Sequence, residues 1–142
     1  MFNSKFTIKN LNNLRDNMLG HLDIEFIQVE NGLISAKMPV DQRTKQPMGL
    51  LHGGASLVLA ETLGSVGALT HIDDTEFVPV GQEINANHIK STRSGHVVGT
   101  AKPLHLGKNS HVWEIDIKDE EGDLVCISRM TVAILRKKKK KV

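Results

Sequence analysis

The sequence predicts an α+β domain in which an antiparallel sheet wraps around one long central helix. Three observations predict it. After the glycine pair Gly53-Gly54, which breaks regular structure, an apolar run of helix length continues to Leu69. Within it Leu57, Val58, Leu59, Leu63, Val66 and Leu69 point to nearly every side of a 3.6-residue helix, and a helix that is apolar all round is a buried one. The flanking chain alternates with the period of a strand, twice before this helix and four times after it. A helix that needs burial on all sides and a set of half-apolar strands satisfy one another when the sheet curls round the helix.

The elements follow in order. Ile8, Leu11, Leu14 and Met18 recur at helical spacing and Gly20 stops the pattern, which predicts a short amphipathic helix serving as a lid or packing element. Leu22, Ile24 and Phe26 alternate with Asp23 and Glu25 as a half-buried strand, and Asn31-Gly32 is a hairpin signal. Ile34, Ala36 and Met38 form the apolar set of the second strand, ended by Pro39, and Asp41 to Pro47 is a polar loop before the central helix. Beyond the loop His71 to Glu76, the third strand places Val78, Val80, Ile84, Ala86 and His88 on one face and Glu83, Asn85 and Asn87 on the other. Ser94-Gly95 turns the chain into a strand from Val97 to Leu106, and Gly107-Lys108-Asn109 is a tight turn. His111, Trp113, Ile115 and Ile117 alternate with Glu114, Asp116 and Lys118; Glu120 to Asp123 turns again. Leu124 to Leu135 is apolar on both faces and therefore expected at the centre of the sheet. One helix does not bury the second face of such a sheet, and exposed edges invite pairing.

Composition limits the function classes. A chain of 142 residues supports one domain with a modest core, assigned here to residues 1–135, with residues 136–142 as a basic tail expected to be disordered. The net charge of +2 hides an asymmetry. Six of the 18 basic residues are Arg136 to Lys141, so the body carries 12 basic against 16 acidic residues, about −4. An acidic body argues against a nucleic-acid partner. A single cysteine, Cys126, excludes an internal disulfide framework and fits a core position. Met1-Phe2-Asn3-Ser4-Lys5 leads into no apolar run, so no signal peptide is expected. No apolar stretch has membrane-spanning length. A cytoplasmic protein without a membrane partner is the expectation. The seven histidines lack ligand spacing, so no metal and no cofactor are expected.

The central helix carries one carboxylate, Glu61. Gly64 and Ser65 share its face and Ala68 continues it, leaving room beside the carboxyl group. A buried Glu facing open space is costly unless it has a partner or a task. Periodicity alone leaves two readings: a core carboxylate bonded to Ser65 or nearby backbone, or a catalytic group. His52 and the glycines precede the helix, whose N-terminus offers unpaired N–H groups and partial positive charge to a developing oxyanion. Gln46 and His52, taken singly, are ordinary loop residues, and Lys108 is a solvated lysine on a hairpin.

Taken together, His52-Gly53-Gly54, Glu61 nine residues after His52, Gln46 six before it and Ser65 four after Glu61 resemble the hotdog-fold thioesterase superfamily, in its aryl-CoA branch. Met38 to Asp41, Arg43 to Pro47, Glu83 to His88 and Lys102 to Gly107 are similar to the bacterial thioesterases of 1,4-dihydroxy-2-naphthoyl-CoA. The likeness spans about residues 7–135. It implies an acyl-CoA thioesterase in which Glu61 is the base or the nucleophile, Gly53 offers its N–H to the thioester oxygen, and Gln46, His52 and Ser65 complete the catalytic set. It implies that CoA is held by Gly81, by His88, Ile89, Lys90 and Ser91, and by His105, Leu106, Gly107, Lys108, Asn109 and Ser110, with Lys90 and Lys108 near phosphates. It further implies a homo-oligomer, a dimer or dimer of dimers, with active sites at the dimer interface. A broad-range or carrier-protein proofreading thioesterase is the alternative within enzymes. The alternative of another class is a regulatory module that binds acyl-CoA without cleaving it, which has no need of Glu61.

Overall fold

The computed structural model describes residues 2–138. The elements are α1 (Ile8–Asn12), α2 (Met18–His21), β1 (Glu25–Glu30), β2 (Leu33–Pro39), α3 (Gly53–Leu69), β3 (Phe77–His88), β4 (His96–Leu106), β5 (Ser110–Asp119) and β6 (Leu124–Arg136). The six strands form one antiparallel sheet in the order β1-β2-β4-β5-β6-β3. The crossing from β2 through α3 carries β3 to the far edge. Helix α3 lies against β2, β3, β4, β5 and β6. This is the α+β architecture that the alternation predicts.

The core forms between α3 and the concave face of the sheet. Ala55, Leu59, Ala60, Leu63 and Ala68 of the helix meet Ile34, Ala36 and Met38 of β2, Val97 and Ala101 of β4, and Trp113, Ile115 and Ile117 of β5, all buried. The helix sits close because Gly67 rests on the Trp113 ring: a Cβ at 67 would stand 2.8 Å from two ring carbons. On β6 the residues Cys126, Ser128, Met130, Val132 and Ile134 turn inward.

The structure corrects several expectations. The helix α3 is not enclosed on all sides by its own chain. Leu57, Val58, Thr62, Val66 and Leu69 are half-buried and Glu61 is exposed, because six strands cover only one flank of the helix. The single N-terminal helix is two short ones. Asn17 breaks it, donating from its side-chain amide to the Leu14 carbonyl while its Oδ1 caps the Leu19 N–H at 2.9 Å. Gly20 therefore falls inside α2. The first strand begins at Glu25, because Leu22 caps α2 and Asp23 takes a left-handed φ of 56°. The third strand does not keep one face throughout. A bulge between Gly81 and Glu83 inverts the alternation, so Val78 and Val80 are exposed outside while Ile84 and Ala86 pack inward. Strand β6 is internal, paired to β5 and β3, but stands one place from the edge.

At the C-terminus β6 continues one residue past Leu135. Arg136 pairs with Glu76 at 2.9 Å, and the Lys137 N–H and amine donate to the Glu76 and Asp74 carbonyls. The expected tail therefore begins later than residue 136. Its residues 139–142 lie outside the described residues. Among the described residues no helix is long and apolar enough to cross a membrane.

Candidate active site

The loop before α3 is held by backbone pairs that fix the side chains it presents. Thr44 is buried, and its hydroxyl donates to the Pro39 carbonyl at 2.7 Å. The His52 N–H donates to Thr44 O and the Gln46 N–H to Leu50 O, each at 2.8 Å. Gly49 makes the return with a φ of 76° and donates to the Gln46 carbonyl. The Gln46 Oε1 accepts from the Met48 N–H. That bond consumes the acceptor end of the amide and leaves its NH₂ as donor.

His52 is the N-cap of α3. Its Nδ1 accepts from the Gly54 N–H at 2.8 Å. An accepting Nδ1 in a neutral ring places the proton on Nε2, so the exposed edge of His52 is a donor. The Gly53 N–H, the first of the helix, has no partner among the described residues. His88 of β3 leans over it, and a Cβ at position 53 would stand 2.6 Å from His88 Nε2. Gln46, Gly53, His88, Ile89, Lys90 and Ser91 thus line one groove of about 320 Å³. Two donors converge there, the Gln46 amide and the helix N-terminus.

Glu61 lies elsewhere on the helix. It opens into a second groove of about 370 Å³, which it shares with Ser65, Thr62, Val58, Val66, Met18 and Leu19. The exposure of Glu61 corrects the expectation of a buried carboxylate. Its Oε1 faces the backbone of Gly81, where a Cβ would come within 3.0 Å. Gly53 and Glu61 are eight residues apart on α3, about 12 Å along the axis at 1.5 Å per residue. Within one chain, the free amide and the carboxylate do not address the same carbon.

The residues expected to hold CoA also divide. The Asn109 carbonyl accepts from the Ile134 N–H, and the Val125 carbonyl accepts from the N–H groups of Ile89 and Lys90. Nine residues of β6 separate those two points, about 30 Å of strand. His105 to Ser110 therefore occupy one end of the sheet and His88 to Ser91 the other. His105, Leu106, Lys108 and Asn109 are exposed, and the turn is closed by the Gly107 N–H on Ser110 O at 2.9 Å. Lys90 has ion-pair partners within its own chain. Its ammonium sits among Asp119 and Asp123, both at 2.7 Å, and Glu121 at 3.2 Å. These carboxylates push the lysine pKa up and hold that of Asp119 below the usual carboxylate range. The acidic trio has the proximity of a cation site, and the lysine ammonium lies within bonding distance of each member.

Residues 48–126 match the family model of the thioesterase superfamily. The chain belongs to the thioesterase superfamily. The 1,4-dihydroxy-2-naphthoyl-CoA hydrolase of Escherichia coli K12 is 54% identical over 132 residues, 92% of this chain and 96% of the relative. The proofreading thioesterase EntH of Klebsiella pneumoniae is 47% identical over 132 residues, again 92% and 96% of the two chains. The crystal structure of a thioesterase from Haemophilus influenzae superposes with a TM-score of 0.93 at 43% identity, covering 99% of both chains. The fold is accordingly the hotdog fold of the thioesterases, and the protein is a thioester hydrolase.

The two grooves differ in the chemistry they offer a thioester. The donor groove suits an oxygen that becomes anionic, and the second groove brings a carboxylate beside apolar surface. Sequence reasoning missed most of the second groove. Met18 and Leu19 reach it from α2, and Val58, Thr62 and Val66 from α3. The half-polar stripe of Thr62 between two valines was their one signal, and an α3 enclosed on every side conceals it.

Proposed function

We propose that this thioesterase hydrolyses an aryl-CoA thioester, with 1,4-dihydroxy-2-naphthoyl-CoA as the named substrate, in an active site shared by two chains. The observation that carries the reading is the separation on α3 of the free Gly53 amide from the Glu61 carboxylate, about 12 Å along one helix. A second copy running the opposite way sets Glu61 of one chain beside Gln46, His52 and Gly53 of the other. The unpaired edge of β3 and the open flank of α3 support such an arrangement, since a two-fold contact uses one patch twice. The division of the CoA residues between the two ends of the sheet supports further association into a dimer of dimers.

In this site the thioester carbonyl points at the Gly53 N–H and the Gln46 amide. Glu61 takes a proton from water as that water attacks, or attacks the carbonyl carbon itself and forms an anhydride that water then opens. The tetrahedral oxyanion is stabilised by donors already in place. His52 and Ser65 orient the carbonyl and the water. The CoA sulfur leaves as thiolate. With the named substrate the enzyme serves menaquinone synthesis in the cytoplasm.

A kinetic panel of aryl-CoA, aliphatic acyl-CoA and carrier-bound aryl thioesters tests this reading. The highest kcat/KM is expected for the naphthoyl ester. A higher value for carrier-bound esters would favour the proofreading role of the Klebsiella relative. Binding without turnover of any ester would mark a regulatory module.

A further inference from the structure

We infer that residues 13–23 form a lid over the groove beside Glu61, lifting as one body to admit the acyl group and settling again before the thioester is attacked. The inference rests on the proposed role of Glu61 and adds a gate to that site. The segment is clamped at its base. The Asn12 side chain donates to the Phe26 carbonyl and accepts from the Phe26 N–H, both at 2.9 Å, as a neighbouring strand would. Leu11, just before Asn12, and Ile24, just after Asp23, are buried. Between these anchors no residue from 13 to 23 is buried. A compact surface loop whose ends are held together is a common carrier of function. Met18 and Leu19 of this loop form one wall of the groove of about 370 Å³, and α3 forms the other with Glu61 and Ser65.

The segment is tied more firmly to itself than to α3. Arg15 pairs with Asp23 at 2.6 Å, and the Asn17 amide donates to the Leu14 carbonyl at 2.8 Å. Gly20 rests on the Arg15 carbonyl so closely that a Cβ has no room there. Towards α3 the segment offers apolar side chains and, among the described residues, no hydrogen bond. A piece that is cohesive within and lightly held without opens as a unit. The hinge is Asp23, whose φ of 56° lies in the left-handed region that Asp and Asn tolerate best among residues with a side chain. In the closed position the Arg15 Nε is buried without a partner. An unpaired buried donor is costly, so lifting the segment into water offsets part of the apolar contact that Leu19 and Leu22 give up. Asp23 is also the latch. It holds Arg15 on one side and lies 3.6 Å from Arg43 on the other, in the loop that presents Gln46. A closed lid withdraws water from around the carboxylate and the acyl group.

The test is hydrogen exchange on the whole protein, read by mass spectrometry with and without a phenacyl-CoA thioether, which cannot be hydrolysed. Calorimetry establishes that the thioether is bound. Amides of residues 14–22 should exchange about tenfold faster than those of β1 in the free protein, and should slow about tenfold in the complex. Stopped-flow release of the thioether is then compared between the wild type and Asp23→Asn, which keeps the left-handed turn and loses the ion pairs. Asp23 does not line the groove, so it acts on release only through the lid. Release should quicken about threefold in the variant, with association and Tm little changed. A bound thioether that leaves residues 14–22 unprotected, or equal release rates, overturns the inference. So does exchange in the free protein as slow as that of β1. A thioether that does not bind at all overturns the lid together with the acyl-CoA reading. Protection of the lid beside full turnover by Glu61→Gln supports the lid and removes the role of the carboxylate.

Discussion

The carboxylate of Glu61 lies against the backbone of Gly81, so close that a Cβ on residue 81 would stand 3.0 Å from Oε1. Gly81 sits where the β3 bulge begins, and the same Cβ would stand 3.0 Å from Met130 Cε. Both neighbours are the ends of flexible side chains, so Gly81→Ala should fold. Glu61, being exposed, yields more readily than buried Met130. Displacing a reacting group by even an ångström is costly in rate. Gly81→Ala should therefore lower kcat about tenfold, with KM and Tm little changed. A variant with full turnover would detach Gly81 from the catalytic geometry.

Glu61→Gln preserves shape and removes the proposed base or nucleophile. Because Glu61 is exposed in the chain, its charge holds no core together. The substitution should cost at least ~10²-fold in kcat and leave Tm nearly unchanged. A structural carboxylate behaves in the opposite way, losing stability and keeping activity. Steady-state kinetics and thermal melts of one preparation separate the two.

If the amide and carboxylate act across two chains, their defects complement. Gln46→Ala and Glu61→Gln homodimers should each be poorly active. Mixed after unfolding and refolding together, they form heterodimers in which one site carries both defects and the other neither. Turnover per heterodimer should recover to roughly half the wild-type value, far above either parent. Co-refolding without recovery would place the whole site within one chain. Light scattering showing a stable monomer would remove the shared site altogether.

How much of this was legible depends on what each residue's signal depends on. The strands, the hairpin at Asn31-Gly32 and the span of α3 are local patterns, and period two or 3.6 exposes them. The proposed catalytic set also has a local signature, because His52, Gly53 and Glu61 follow one another along one turn and one helix. Apolarity, however, does not say what covers a surface. Val58 and Val66 read as core, yet they border an open groove, since burial depends on how far the sheet reaches. The β3 bulge was invisible because no residue type demands it, and it reassigned Val78 and Val80 to the outer face. Lys90 and Lys108 read alike in sequence. Only the register of β6, whose Val125 and Ile134 lie about 30 Å apart along the strand, sends them to opposite ends of the sheet, and only the turn after β5 gathers three carboxylates on one of them.

That difference between the two lysines gives the last prediction. Lys108 is exposed on the turn between β4 and β5, so Lys108→Ala should raise KM for CoA esters severalfold, less at high salt, with kcat intact. Lys90 is engaged with Asp119, Glu121 and Asp123, so its removal should act on stability instead. The lysine pKa is raised above 10.5, so its contribution is whole below that pH and fades as pH climbs through the higher folded value. The Asp119 pKa is lowered below 3.8, so its contribution is whole above that pH and fades as pH falls through the lower folded value. Between about pH 5 and pH 9 Lys90 and Asp119 are both charged. Lys90→Met should therefore lower Tm by a steady margin across that window, and the margin should narrow below pH 3.8 as Asp119 protonates. Added salt should shrink it as well, since Lys90 is partly exposed. A Lys90→Met protein that melts like the wild type but needs far more CoA ester to saturate would return Lys90 to the phosphate side of the site.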